Sequence, residues 1–322
     1  MLPNGKKHVC QSVPLDVLSS FPENVIDDIL ICLPLRDAVR TSILSTKWRY
    51  KWCRIPHLKL DQTLWGTTKD LIPLTIKFTD IIYHLLTSHA GPISKFILSI
   101  HDLGDCPKID KLIYYLSKNG IQHLDLTFSY YNQYKLPSSV FTCLQLMHLS
   151  LQYCSIQLTP RAFKGFDRLI SLELCSITIS SKFLESLISN CPLLDQLGLN
   201  HNVYSDVIEI NAPMLRAFDF AEAEGSICLK SVPHLAKLSL CHKNYHVGTR
   251  NCFESFYYLE HLELIGHSLK VNVLYHSIQH FHIWNMFWAL SNFVFLPSSW
   301  LQQHVKYQQG FPLILTVSSV FA

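Results

Sequence analysis

The sequence predicts a mixed fold of the α/β (α+β) class, in which three short N-terminal helices precede an open, curved solenoid of strands. Apolar residues between Leu18 and Trp52 recur at helical spacing in three short runs. From Ile121 onward a six-residue apolar pattern returns every 19 to 25 residues, which indicates structural repeats. The 322 residues are 48% apolar and 16% charged, so the chain has enough apolar side chains for a large core.

The first helix is expected to begin at Pro22 and to end before Pro34. Proline is tolerated at a helix start because the N–H group that it lacks would have no partner there. Glu23 adds negative charge to the first turn, which suits the positive end of the helix dipole. One apolar stripe is formed by Val25, Ile26, Ile29, Leu30 and Leu33.

Two more helices are expected before Trp52. The second runs from about Arg36 to Ser42, and Ser45 is suited to cap the start of a third. Trp48 and Trp52 are four residues apart and would share one face of that third helix. So short a unit cannot bury all of these side chains against one another, and we expect part of its apolar surface to meet a partner.

These residues resemble the F-box, with Phe21 in place of the more usual leucine. The resemblance is carried by Phe21-Pro22, Val25-Ile26, Ile29-Leu30, Leu33-Pro34, Asp37-Ala38, Ile43-Leu44-Ser45 and Trp48-Arg49. F-box proteins are exchangeable receptor subunits of Skp–cullin–F-box ubiquitin ligases. The resemblance therefore implies that residues 15–60 dock on a Skp-type adaptor and through it on cullin. The implied adaptor-binding residues are Phe21, Pro22, Val25, Ile26, Ile29, Leu30, Leu33, Pro34, Leu44, Trp48 and Trp52. A helical subdomain packed only on its own chain is the alternative.

Residues 1–14 are predicted to form a tail without the apolar segment of a secretory signal. Residues 61–120 are predicted to hold a linker and the first irregular repeats. One helix is expected to end at Ala90-Gly91-Pro92, and a strand at Ile93 to Ile100. A second helix should open at Pro107 and close at Asn119-Gly120, a pair suited to a left-handed helix end.

Residues 121–284 contain eight copies of the pattern apolar-x-x-apolar-x-apolar. The middle residues of the copies are Leu124, Leu149, Leu172, Leu197, Phe218, Leu238, Leu262 and Phe281. This pattern at this period predicts leucine-rich repeats. Each copy is a short strand, and a loop or helix carries the chain back; the clearest return helix lies within Ser180 to Pro192. Because one repeat cannot cover its own apolar face, the repeats must stack.

The irregular period and the segment Ile188 to Leu199 resemble plant F-box/LRR proteins of the FBD-associated group. Such proteins continue into a further C-terminal domain, which is expected to be missing or altered here. Residues 285–322 are predicted to be an atypical, poorly packed tail. Val271 to Ala322 contains Lys306 as its only charged residue and is expected to be the least ordered part of the chain.

Residues between the leucine positions of a strand should face away from the core. This places Asp125, Glu173, Asp219 and Glu263 in one row, named here the acidic row. It places His123, His148 and His261 in the neighbouring row, named here the histidine row. Two interpretations stay open: these rows bind the target protein, or they form an ordinary solvated face.

The sequence carries no motif for catalysis or for a cofactor. It has no phosphate-binding glycine loop and no metalloprotease helix, and His242 and His246 have no metal-ligand partner at suitable spacing. A formal net charge of +3, without clustered basic residues, argues against nucleic acid. Polar residues between Val273 and Leu301 argue against a membrane span.

The expected function is that of a non-catalytic substrate receptor, which binds the adaptor through the F-box and an unknown target through the repeats. Eleven cysteines without a C-x-x-C pair fit a reducing compartment, the nucleus and/or the cytoplasm, with cysteine as a small buried residue. The alternatives are a repeat protein that acts outside any ligase, and a hydrolase whose site has no recognisable motif.

Overall fold

The structure is a computed structural model, and its described residues fall into several ranges. These are 17–61, 64, 74–99, 107–131, 133–157, 163–221, 224–241, 245–247, 261–265, 269–271 and 314–318. The helices are α1 (Val17–Ser20), α2 (Glu23–Cys32), α3 (Leu35–Arg40), α4 (Leu74–Ser88), α5 (Pro107–Lys118) and α6 (Ser181–Ser189). Short 3-10 helices are Thr41–Ile43, Lys51–Arg54 and Ser138–Thr142.

The N-terminal unit (residues 17–60) begins as the sequence predicts and then departs from it. Pro22 and Pro34 are the N-cap residues of α2 and α3. The predicted third helix is wrong as an α-helix: residues 46–50 form turns, and a 3-10 helix follows at Lys51–Arg54. Backbone bonds here join residues three apart, as from the Trp48 amide to the Ser45 carbonyl at 3.2 Å. These tighter turns let Trp48, Cys53 and Ile55 all point inward.

The core of the N-terminal unit consists of five buried side chains. They are Ile26, Leu30, Ala38, Trp48 and Ile55. Ile55 lies beyond the three predicted helices, in the segment that leads into the sheet. The unit therefore completes its core with a residue of the connection, as its small size requires.

A ten-stranded parallel sheet contains the predicted repeats. Its strands are β1 (His57–Leu60), β2 (Lys95–Ser99), β3 (His123–Thr127), β5 (His148–Gln152), β7 (Ser171–Cys175), β8 (Gln196–Asn200), β10 (Ala217–Ala221), β12 (Lys237–Cys241), β14 (His261–Ile265) and β16 (Ile314–Ser318). They lie side by side in this order. Seven of the eight predicted copies coincide with strands β3 to β14 of this series. The eighth copy, around Phe281, lies outside the described residues.

The neighbour of β14 is a strand from the segment that the sequence analysis assigned to the tail. β16 pairs with β14 in parallel, with Leu315 opposite Leu262 and Val317 opposite Leu264. The short run after Pro312 is rich in apolar and β-branched residues, which favour strands. The rest of the predicted tail, residues 285–322, lies outside the described residues, and Val271, where the least ordered part was expected to begin, is the last residue of β15 (Leu269–Val271).

Two apolar rows run across the buried side of the sheet, one from Leu58 and one from Leu60. Strand register aligns Leu58 with Phe96, and this row continues through the middle residues of the seven copies that the structure describes. Helices α4, α5 and α6 carry the return segments, as predicted for these three stretches. The N-terminus of α6 is capped by Ser180, whose hydroxyl accepts a bond from the Phe183 amide.

After β8 the return segments are strands, which the sequence analysis did not predict. β9 (Val203–Asn211) pairs in parallel with β11 (Glu224–Ser231), and β13 (Tyr245–Val247) with β15. A smaller pair, β4 (Tyr134–Lys135) and β6 (Cys154–Ser155), occurs earlier. Alternate residues such as Ile208 and Ile210 are buried in β9, a period-two pattern that suits a strand.

The chain turns in the same way after three successive strands. Tyr153, Ser176 and His201 follow β5, β7 and β8 and have positive φ values of 57°, 51° and 54°. The residue after each is buried, and in the third turn it is Asn202, 1% exposed. The Asn202 side chain accepts a bond from the Ile177 amide at 2.7 Å and donates to the Leu174 carbonyl at 2.8 Å. It therefore joins two consecutive repeats.

Replacing Asn202 with Ala is expected to lower the free energy of unfolding by about 2–6 kcal/mol. The change leaves a buried amide and a buried carbonyl without their partner, and each such loss costs roughly 1–3 kcal/mol. Thermal unfolding of the full chain checks the prediction. The exposed Asn211, replaced by Ala, is the matched control, and an equal effect of both substitutions would contradict the role of Asn202.

Candidate functional site

The eleven predicted adaptor-binding residues fall into three classes of exposure. Ile26, Leu30 and Trp48 are buried at 0%, 0% and 2%. Half-buried are Phe21, Val25, Ile29, Leu33 and Trp52. Exposed are Pro22, Pro34 and Leu44. The first three fill the core of the N-terminal unit, so in this conformation they support the surface and offer none of it to a partner.

The exposed apolar residues of the N-terminal unit include several that the sequence analysis did not assign to the contact. Ile43 is 88% exposed, and Ile31 and Val39 are 39% exposed each; next to Ile43 lies Leu44, a predicted contact residue that is 48% exposed. Ile31 lies beside Leu30 on α2, outside the predicted stripe. Ile43 belongs to the F-box-like motif, which was the signal that could have identified it. The part of the unit with the most exposed apolar surface is Ile43-Leu44, directly after α3.

Two lysines connect the segment after α3 to the start of α2 through side-chain contacts. Lys51 pairs with Glu23 at 3.0 Å, and this bond lowers the pKa of the Glu23 carboxyl. Lys47 donates to the Phe21 carbonyl. Lys47 lies in the turns at residues 46–50 and Lys51 begins the 3-10 helix that follows, so the segment that replaces the predicted third helix is tied to the start of α2.

The N-terminal unit is fixed to the first strands of the sheet by backbone bonds. The Ala90 amide donates to the Cys53 carbonyl at 2.9 Å, and the Ser94 amide to the Pro56 carbonyl at 2.9 Å. The buried His89 ring lies 3.0 Å, through Nε2, from the Ile55 carbonyl oxygen. Gly91 allows a close approach, because a Cβ atom there would lie 3.3 Å from the Arg54 backbone. The unit therefore has a defined position relative to the sheet.

Strand register places the predicted surface residues in the two rows expected. The row that contains Asp125 continues through Ser150, Glu173, Gly198, Asp219, Ser239 and Glu263. The row that contains His123 continues through His148, Ser171, Gln196, Ala217, Lys237 and His261. Together these rows are named the polar face. For His261 and Glu263 the structure gives the register position alone.

Two histidines of the polar face are stacked. The rings of His123 and His148 lie 4.3 Å apart between centroids and are nearly parallel, at 10°. Burial lowers the pKa of His123, and His148 and Lys95 add to the effect. Beside the stack lies a recess of about 240 Å³, lined among others by Lys95, Asp125, Ser150 and Glu173.

The negative charges of the acidic row are only partly balanced by neighbouring positive charges and hydrogen-bond donors. Burial raises the pKa of Asp125, and the like charge of Glu173 raises it further, whereas Lys95 acts in the opposite direction. Asp219 accepts a bond from Asn200 at 3.4 Å through Oδ2. Its buried Oδ1 has no hydrogen-bond partner among the described residues. A cation placed over this row would therefore relieve an unfavourable accumulation of negative charge.

The described part of the chain offers little support for a metal site, a membrane-spanning helix or a reactive cysteine. No group of three or more potential metal ligands occurs there. The helices of the described ranges include none that is long and apolar enough to cross a membrane. Cys143 and Cys154 are free and buried, and burial raises the pKa of each thiol to about 12. They are small apolar core residues, as predicted, although Cys32 is exposed.

Comparison with known proteins finds two matching family models. The model described as F-box domain matches residues 18–59. The model described as "FBD-associated F-box protein At5g56370, LRR repeats" matches residues 109–287, more than half of the chain. The first match coincides with the N-terminal unit, and the second begins at α5 and extends past β15.

Curated relatives from Arabidopsis thaliana carry the same combination in their names. "F-box/FBD/LRR-repeat protein At1g13570" is 37% identical over 225 residues, 70% of this chain and 53% of that protein. "F-box/LRR-repeat protein At4g14103" is 30% identical over 223 residues, 67% of this chain and 58% of that protein. The chain thus spans about half the length of the curated relatives that it matches.

Proposed function

Since this chain belongs to the plant F-box/LRR-repeat proteins of the FBD-associated group, we propose that it is a substrate receptor of a Skp–cullin–F-box ubiquitin ligase. The observation that carries the proposal is the exposed apolar surface around Ile43 and Leu44, on a unit fixed to one end of the sheet. Exposed apolar residues grouped in this way are typical of protein interaction sites. The partner is a Skp-type adaptor and, through it, cullin.

The adaptor contact is proposed to centre on the exposed residues Pro22, Pro34, Ile43 and Leu44, with the half-buried Phe21, Val25, Ile29, Leu33 and Trp52 around them. Ile26, Leu30 and Trp48 act from beneath as the core of the unit. This division is supported by burial, because a side chain without exposed area has no surface to contribute to an interface.

The repeats form an open, curved solenoid in this proposal, and their polar face binds the target. The parallel strands in sequential order support a solenoid, since each repeat contacts mainly its neighbours. The receptor does no bond chemistry. It holds the target close to the ligase, so that a high effective concentration raises the rate of ubiquitin transfer. The free thiols of the described residues suit a reducing compartment, the cytoplasm or the nucleus.

Co-purification of the full chain with a purified Skp-type adaptor tests the proposal. We expect a stable complex of the chain with the adaptor, and this complex should in turn bind cullin. Failure to form the complex, with a chain shown to be folded by circular dichroism, would favour the rival function, a leucine-rich-repeat interaction protein that acts outside a ubiquitin ligase. With that alternative function, the N-terminal unit would serve only to cover the end of the sheet.

A further inference from the structure

The acidic row has a regular spacing that the repeats impose. Its carboxylates occur on every second strand of the sheet, on β3, β7, β10 and β14. The intervening strands β5, β8 and β12 place only small residues in the row, Ser150, Gly198 and Ser239. Since adjacent strands lie about 4.8 Å apart, consecutive carboxylates are separated by about 9.6 Å along the row.

This distance matches an extended peptide in one particular conformation. A polyproline II helix rises about 3.1 Å per residue and has three residues per turn. Every third side chain therefore points in the same direction, at a spacing of about 9.3 Å. A β-strand does not match as well, because its side chains on one face repeat at about 6.6 Å.

The net charge of the polar face determines the sign of the charge that its partner should carry. From β3 to β14 its two rows contain four carboxylates and the single Lys237, a formal charge of −3, on a chain of formal net charge +3. Lys95 on β2 and Lys59 on β1 lie in the continuation of the same two rows and offset part of the charge of Asp125. The recess beside Glu173 lies along the same row.

We propose that the acidic row binds an extended, polyproline II-like segment of the target protein that carries Lys or Arg at every third position. The basic side chains lie over Asp125, Glu173 and Asp219, with the register position of Glu263 next in the row, and the small residues between them leave room for the backbone of the segment. The recess accepts the basic side chain that meets Asp125 and Glu173. The inference rests on the proposed function and adds to it the chemical class of the target.

The test uses the full chain and synthetic peptides with capped ends. One peptide has Lys at every third position with Pro and Ser between, and its match has the same composition with the lysines adjacent. Fluorescence anisotropy should show the periodic peptide to bind at least about 5-fold more tightly, because only it can place each cation over a carboxylate. Equal affinity of the two peptides would overturn the inference.

A variant of the chain tests whether the carboxylates of Asp125 and Glu173 bind the peptide. Asp125→Asn with Glu173→Gln should weaken binding of the periodic peptide by about 2- to 30-fold, the combined value of two partly solvated ion pairs. Asp80→Asn with Asp167→Asn is the control, since it removes the same charge from exposed carboxylates outside the sheet strands. An equal loss in both variants would overturn the inference in favour of general charge attraction.

Adaptor capture by the same variants separates this inference from the proposed function. Both variants should retain the adaptor, and circular dichroism spectra like that of the wild type should show that their repeats are folded. A chain that captures the adaptor and does not discriminate between the peptides overturns the inference alone. A wild-type chain that fails to capture the adaptor overturns the proposed function, whatever the peptide result.

Discussion

Replacing Leu44 with Asp is expected to weaken binding to a Skp-type adaptor by about 30-fold or more. Leu44 is 48% exposed beside Ile43, the most exposed large apolar residue of the N-terminal unit. Truncation of a central interface residue typically costs at least about 2 kcal/mol, and a carboxylate placed there would also lose its hydration. Titration of the purified full chain with adaptor measures the change.

A matched control for this prediction is Leu144→Asp. Leu144 is 63% exposed and lies between the 3-10 helix Ser138–Thr142 and β5, away from the N-terminal unit. The control should bind the adaptor like the wild type. Undiminished binding by Leu44→Asp, or an equal loss in both variants, would show that the contact lies elsewhere.

Replacing Trp48 with Ala is expected to lower the stability of the N-terminal unit by about 3–5 kcal/mol, the usual cost of removing a buried aromatic side chain. Trp48 is 2% exposed, packs in the core that contains Ile26 and Leu30, and donates through Nε1 to the Leu18 carbonyl at 3.3 Å. A core of this size has few other side chains to compensate. The unit should therefore open locally while the repeats stay folded.

Hydrogen exchange measures this local opening. Amides of α2 should lose protection in Trp48→Ala, whereas those of β5 and β7 should keep it. Tyr50→Ala is the control, because Tyr50 is 71% exposed two residues further on and its removal should change stability by less than about 0.5 kcal/mol. Unchanged protection of Ile29 and Leu30 in Trp48→Ala would contradict the assignment of Trp48 to the core.

The candidate surfaces could be predicted from the sequence only in part. Because side chains alternate along a strand and the repeats keep one register, the positions of Asp125, Glu173 and Asp219 in one row followed from counting. The stacking of His123 on His148 did not, since it depends on rotamers and on the separation of neighbouring strands. Whether these rows choose the target stays a prediction.

The sequence by itself determined the seven strands from β3 to β14 and the helices α2 and α3 of the N-terminal unit. Periodic apolar positions and helix-ending prolines are local signals that survive without knowledge of neighbours. Tertiary structure alone decided that Trp48 is a core residue and that Ile43 is exposed, because a stripe of apolar residues does not say which side is covered. It also decided that β16 lies beside β14, a pairing between segments far apart in the chain that no local pattern encodes. Local periodicity fixes the elements, whereas burial and long-range pairing depend on which surfaces the folded chain brings together.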